Sequence, residues 1–379
     1  MAPSLLQSIV LSAISMTMAS AVFYHFNFNL QAYMEPLKDA CGLNGSPATA
    51  PPPHLKLGNS FLDGFHCILT PFFLDCVSTP AGRFFVSHAA ARLSPSYPSA
   101  TPLVLKTLEV AIAFMAVMGI EDCRSSARGL VKGSAVVLAV SQLLGISVAL
   151  PFLWVPSYLL LTRRRVEGAF LPAGKMPAIG LACALAAVLT APLVLARLLP
   201  EASQLQASPG LARHVVVNFN LLLPCLALLW MVSPGGRQPG NAAAASTLRF
   251  AALVGFIMHA AAAADLLLAH ELDARAAWRS LAAVAAKRDS RIMPANFMMF
   301  DFLGLLGAAV IFAAAECGVV KAAGVLVKGL AVGPGAAFAL AAARREERLA
   351  AGAAQEPPKV EPTRPVYLPP RNVKRGKDD

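Results

Sequence analysis

Charge is what this chain has least of. Charged residues make up 14 % of its 379 residues, against roughly 25 % in an average soluble domain. Hydrophobic residues reach 56 % and the mean hydropathy is +0.60. A soluble globule of this size has too little polar surface to cover so much apolar side chain. The same arithmetic excludes disorder, collagen and coiled coil. Acidic residues are scarcer than basic ones, 21 against 32, which leaves a net charge of +11 and a pI near 9.6. In a membrane chain that excess belongs to loops facing the cytosol and anionic lipid. No soluble basic domain exists to carry a nucleic-acid footprint, so nucleic acid is not an expected partner. The seven cysteines contain no C-x-x-C pair and lack the short spacings of a closed zinc site. Cys183, Cys225 and Cys317 lie in or beside apolar runs, where a thiol acts as a small hydrophobe. A disulfide among Cys41, Cys67 and Cys76 remains an open alternative. Also missing are G-x-G-x-x-G, Walker A, H-E-x-x-H, G-x-S-x-G and Asp-Asp-x-x-Asp. No metal site and no cofactor is therefore expected, and ionisation of a diphosphate bound through magnesium is excluded.

What is present is a series of long apolar runs. About 20 apolar residues cross a bilayer as a helix. Seven runs qualify: Leu5 to Phe23, Pro102 to Ile120, Gly133 to Leu161, Met176 to Leu199, His214 to Val232, Leu248 to His270 and Asn296 to Ala315. Val319 to Ala343 is a weaker eighth, interrupted by Lys321, Lys328 and a Gly-Pro-Gly break at Gly333 to Gly335. The first run has no basic residue before it, so a retained span is expected rather than a cleaved signal peptide. Gly133 to Leu161 is long enough to tilt or kink, and Pro151 and Pro156 supply a cause. The expected fold is an all-α polytopic bundle of seven to eight transmembrane helices over residues 1–343, followed by a disordered basic tail over 344–379. A long loop, 26–101, separates the first two spans. Within it, 61–78 is apolar but carries Asp63, His66 and Asp75, which suits a re-entrant or interfacial helix. No paired Gly- or Pro-interrupted spans are visible in matching halves, so no internal repeat is expected.

Charge asymmetry suggests an orientation. The N-terminus, the 121–132, 200–213 and 271–295 loops and the C-terminus together collect more Lys and Arg than the opposite side, and are placed in the cytosol. The Arg163-Arg164-Arg165 triplet falls on the other side and opposes this assignment. Asn44-Gly45-Ser46 is an N-glycosylation acceptor that the assignment puts in the lumen. Arg375 and Lys377 near the C-terminus resemble a dibasic retrieval signal, which points to the endoplasmic reticulum; an ordinary charged tail is the alternative.

Ionisable groups inside apolar runs are costly, about 2.5–3.5 kcal/mol or more at mid-bilayer, so they are candidate functional residues. They are Asp75, Glu109, Asp265 with His259 six residues earlier, and Asp301, while Glu121, Asp122 and Arg124 lie at a helix end. Plain alternatives exist: Glu109 can pair with Lys106 one turn away, His259 can be a packed histidine, and Glu121 and Arg124 can simply fix a helix end. Asp75 and Asp301 stand out because Phe72 and Phe73 flank one and Phe300 and Phe302 the other. A poorly hydrated carboxyl holds its proton and can start a cation, which aromatic faces then shelter.

Several of these segments resemble the fungal integral-membrane terpene cyclases typified by the ascofuranone-pathway enzyme. The resemblance rests on Phe72-Phe-Leu-Asp75 followed by Ser78-Thr-Pro-Ala-Gly82, on Glu121-x-x-Arg124-x-x-x-x-Gly129, on Gln142-x-x-Gly145 with Phe152-Leu-Trp154-Val-Pro156, and on Phe300-Asp301. The chain departs from that pattern at Met298-Met-Phe-Asp301 and at Ser125-Ser-Ala-Arg128. The resemblance implies acid-initiated cyclisation of a prenylated or epoxy-prenylated aromatic in secondary metabolism. Asp75 or Asp301 would be the proton donor, with Asp265 a further candidate. Glu121 and Arg124 would form a mouth-level pair, and Phe72, Phe73, Trp154, Phe300 and His259 would line the cavity. The implied partners are the bilayer and a greasy prenylated substrate, with other pathway enzymes an open alternative. A proton-coupled exporter of a hydrophobic metabolite and a non-enzymatic membrane scaffold are the alternatives from other classes.

Overall fold

The computed structural model describes residues 4–41, 63, 67, 100–163, 166, 169–198, 225–236, 238–268, 270, 272–286 and 293–355. Among these the chain is helical throughout, with one isolated backbone bridge between Pro172 and Pro239 and no strand. The helices are α1 Leu5–Ala40, α2 Thr101–Cys123, α3 Ser134–Leu144, α4 Ile146–Thr162, α5 Met176–Leu198, α6 over residues 225–232, α7 Asn241–Leu268, α8 Ala274–Ala286, α9 Met293–Cys317, α10 Val319–Val332 and α11 Pro334–Gln355.

Five segments are long and apolar enough to cross a membrane: Leu5–Asn27, Thr101–Cys123, Ala173–Ala191, Asn241–Leu267 and Pro294–Cys317. The chain is an integral membrane protein on that basis. Of the other expected spans, His214 to Val232 lies outside the described residues as far as Pro224. Gly133 to Leu161 is folded back on itself. The backbone turns at Gly145, with φ 85°, so that α3 and α4 form a hairpin. Both ends of this hairpin lie beside the C-terminal end of α2. Ser134 Oγ reaches Met118 O at 3.5 Å, and the Arg128 N–H donates to Thr162 Oγ1 at 3.2 Å. An 11-residue helix rises only about 16 Å, half the hydrocarbon core. α4 widens into π-type turns at Leu150–Trp154, which contains Pro151, and at Tyr158–Thr162, just after Pro156.

Val319 to Ala343 is the second hairpin. It bends at Gly333, with φ 94°, and Pro334 opens the returning helix. Residues 344–355, expected as tail, continue α11 as helix, and Arg345 and Glu346 within it are buried. Part of the charge that resembles a solvated tail, Arg345 and Glu346, meets buried partners instead.

A spanning helix followed by a Gly-broken hairpin occurs twice, as α2 with α3 and α4, and as α9 with α10 and α11. Each is preceded by another spanning helix, α1 or α7. The two sets are exchanged in packing: α1 lies on α9 and α4, whereas α7 lies on α2 and α11, and α2 and α9 touch at the centre. Gly304 and Gly307 let α1 and the first hairpin come close, since an added Cβ would meet Ser147 at 2.9 Å or Met18 at 2.1 Å. Sequence hides this relation because Gly145 falls inside an unbroken apolar run.

The packing also reassigns the loops. Asn241 Nδ2 donates to Glu346 at the Arg124 end of the bundle, while His259, farther along α7, meets Lys106 near the start of α2. The segment after Leu268 therefore emerges at the Thr101 end, where Asn296 also pairs with His25 at 2.8 Å. Within 271–295, α8 lies at the end opposite the 121–132 loop, contrary to the expected arrangement. Arg163, in contrast, joins Arg124. The triplet that opposed the charge rule begins on the cationic side, together with Arg124, Arg128, Lys132, Lys175 and Arg345. At the Thr101 end, the Asp273 carboxylate accepts the N–H groups of Ala276 and Arg275 and caps α8. Those bonds hold it below the usual carboxylate range. Cys41, following α1, is disulfide-bonded to Cys67; Cys76 lies outside the described residues.

Candidate functional site

α2 is buried on almost every face, which an all-round apolar helix requires, and three polar or aromatic groups are arranged along it. The first is at the hairpin tips. The N–H groups that open a helix have no partner of their own, and inside a bundle water cannot supply one. Each tip receives a carboxylate from a spanning helix of the other set. Asp301 Oδ1 accepts Ser147 Oγ–H at 2.5 Å and the Ser147 N–H at 3.4 Å, at the start of α4. Glu109 Oε1 accepts the Gly335 N–H at 2.8 Å, at the start of α11. Both acids lie eight residues after the start of their helix, Thr101 or Met293. Only glycine fits the second tip: a Cβ on Gly333 would stand 2.3 Å from Glu109 Oε1.

The two acids differ in what else they meet. Asp301 is buried among apolar neighbours, with Phe300 packed on His25 at 3.6 Å between ring centroids. Glu109 belongs to a trio. Its Oε2 is 3.3 Å from Lys106 Nζ and 3.8 Å from His259 Nδ1, and Lys106 also donates to that same Nδ1. The Glu109 side chain is fully buried, but 19 % of Lys106 and 17 % of His259 are exposed. The trio thus links a buried acid to an accessible surface through two groups that both handle protons. The expected Glu109–Lys106 pair is present, and His259 is added to it by the tertiary fold.

Below the trio lies a column of rings. Phe338, three residues after Gly335, stacks on Phe114 at 5.3 Å; Phe114 meets Trp154 edge-on at 5.4 Å; Trp154 stacks on Tyr158 at 5.4 Å; Phe312 contacts the other four. All five are buried. They come from α2, α4, α9 and α11, so no local sequence window contains them.

The column ends in an ionic cluster at the cationic end of the bundle. Arg124 donates to Glu121 at 2.9 Å and to Glu346; Arg345 donates to Glu121 at 2.6 Å, to Glu346 at 2.7 Å and to Glu316; Arg163 pairs with Glu316. The Tyr158 hydroxyl donates to Glu316 at 2.6 Å and accepts from Arg345 at 2.7 Å. Three carboxylates face three guanidiniums, all buried. A balanced buried cluster of this kind locks helices together, because each charge needs its partner. Glu121 and Arg124 are therefore interior members of a clamp, with Glu121 Oε2 and Arg124 Nη1 left without a hydrogen-bond partner. Asp122, on the next face, is buried and accepts from Trp230 Nε1 at 3.1 Å.

Of the expected site residues, Glu121, Arg124 and Trp154 join one column, with His259 at its other end. Asp301 and Phe300 lie at the first hairpin tip. Asp265 is buried on α7, beyond His259. Asp75, Phe72, Phe73 and Asn44 lie outside the described residues. Sequence reading missed the ring and cluster positions Phe114, Tyr158, Phe312, Glu316, Phe338, Arg345 and Glu346; Glu316, an acid ending an apolar run, was the one signal available. Among the described residues no group of three His, Cys, Asp or Glu could hold a metal ion. Comparison with known proteins adds nothing to the geometry: no family model, no curated protein and no solved structure matches the chain.

Proposed function

We propose that the chain is a membrane-embedded terpene cyclase acting on a prenylated or epoxy-prenylated aromatic, with the Glu109–Lys106–His259 trio as its acid–base group. The observation that carries this reading is the column itself: a partly exposed proton-handling trio directly above five buried aromatic rings. Asp301 is less suited to the donor role, because it is buried against Ser147 and, among the described residues, has no link like the Lys106–His259 pair to an exposed surface. In the proposed reaction the trio gives a proton to the epoxide oxygen as its C–O bond breaks. Alkene electron pairs then close the C–C bonds, the ring faces shelter the cation, and loss of a proton to the trio ends the sequence. The product is an isomer of the substrate. The Cys41–Cys67 disulfide, on the side away from the cationic cluster, supports an oxidising lumen there and hence residence in the endoplasmic reticulum.

The test is expression in a fungal host, with microsomes fed farnesylated and geranylgeranylated aromatic epoxides. An isomer of unchanged mass is expected, and Glu109→Gln, which keeps an acceptor for Gly335, lowers its rate by roughly 10²–10⁴-fold. Recovered substrate from wild-type membranes that contain the protein overturns the reading.

A second reading, a proton-coupled exporter of a hydrophobic metabolite, is favoured by the exchanged hairpins. Broken helices paired between two structural sets are a recurrent transporter arrangement. Gradient-dependent efflux without any product isomer would select it.

A further inference from the structure

The two helices of the second hairpin diverge from Gly333 and leave a groove of about 930 Å³ between them, within the roughly 300–1,000 Å³ range of small-molecule sites. Four cations line it: Lys321 and Lys328, two turns apart on α10, and Arg344 and Arg348, one turn apart on α11. Among the described residues none of the four forms an ion pair. The acid beside them, Glu347, is instead paired with Arg249 on α7. Val325, Val332, Ala337 and Leu340 make the rest of the wall apolar. Gly324, also in the wall, faces open space, since an added Cβ would meet nothing within 4 Å.

Val319, Val320, Val327 and Leu330 on α10, beside the groove, are 68–86 % exposed, an apolar face suited to contact with hydrocarbon. Lys321, Arg344 and Arg348 lie at the cationic end of the bundle, where headgroups are; Lys328 is deeper and can reach that level by extending its chain. Unpaired cations beside an apolar wall call for an anion attached to a tail, and a site entered from the bilayer is filled from the bilayer.

We propose that this groove binds an anionic phospholipid, its phosphate held by Lys321, Lys328, Arg344 and Arg348 and one acyl chain laid against Val325 and Leu340. The cations belong to neither the trio nor the buried cluster, so the proposal does not depend on the reaction assigned above.

The experiment uses the full-length protein in nanodiscs of phosphatidylcholine alone or with phosphatidylserine, and counts retained lipid by native mass spectrometry. Wild type is expected to retain phosphatidylserine selectively. Lys328→Gln/Arg344→Gln lowers that affinity roughly thirty-fold, from about one surface-cation interaction each. Leu340→Trp, which fills the apolar wall and keeps every charge, also expels the lipid. Arg275→Gln/Arg279→Gln on α8, equal in charge change but at the opposite end, leaves retention unchanged, and all variants keep the wild-type melting temperature. Equal retention by the groove variants, or equal loss in the α8 control, overturns the proposal. Displacement by millimolar inorganic phosphate alone also overturns it, since the tail then contributes nothing.

Discussion

Replacing Glu121 by glutamine removes one of three negative charges from a cluster that holds three guanidiniums away from water. In the native cluster Glu121 Oε1 accepts from both Arg124 and Arg345, at 2.9 and 2.6 Å. Glutamine keeps one acceptor oxygen but leaves the cluster with an uncompensated positive charge at full burial. Removing one partner of a buried ion pair typically destabilises by about 3–5 kcal/mol. The retained oxygen places Glu121→Gln near the lower figure. Glu121→Gln/Arg124→Gln restores neutrality, two charges against two, and is expected to be more stable than Glu121→Gln alone by roughly 1–3 kcal/mol, the coupling range of groups in one network. The assay is unfolding in mixed micelles by titration with dodecyl sulfate, followed by far-ultraviolet circular dichroism. A Glu121→Gln protein as stable as wild type would refute the clamp. So would a double variant whose loss equals the sum of the two single losses.

Three further outcomes follow from other parts of the fold. Gly333→Ala strains a φ of 94° and drives a Cβ against Glu109, so its loss of stability should exceed about 2 kcal/mol; Gly324→Ala, facing open space on a helix, should gain about 0.5–1 kcal/mol, and the same titration reads both. Cys41 and Cys67 should resist maleimide labelling until reduced, and Cys41→Ser should lower stability by roughly 2–4 kcal/mol; labelling of both without reductant contradicts the bond. A glycosylation acceptor inserted after Asp273 should be modified in microsomes and one inserted after Arg128 should not, whereas the reverse pattern, or modification of neither site, contradicts the assigned ends.

Some of the site was readable in the sequence because it depends on neighbours along one helix. Lys106 and Glu109 are three residues apart, and their pairing follows from helical geometry alone. His259 was visible as a histidine in an apolar run, but not as a member of that pair, since 153 positions separate it from Lys106. Arg345 and Glu346 were misread for a physical reason. Charge density in a window says only that a segment is polar, and a segment rich in Arg and Glu looks the same whether water or opposite charges satisfy it. Asp301 was identified as a buried acid beside aromatics, but its bonds to Ser147 give it a structural task that its flanking phenylalanines do not reveal.

By itself the sequence determined that this is a helical membrane protein, because scarce charge and apolar runs of span length leave a chain no other way to satisfy its backbone in lipid. It also marked an apolar run at each of the five segments long enough to cross. Only the tertiary structure decided which apolar runs cross and which fold back, since hydropathy measures the content of a segment and not its direction. The turn at Gly145 reverses the chain without changing that content. Only the tertiary structure, too, decided which charges meet. Pairing at burial depends on distance across helices, and the helices that supply Glu109, His259 and Gly335, or Glu121, Glu316 and Arg345, are remote in the chain and adjacent only in the bundle.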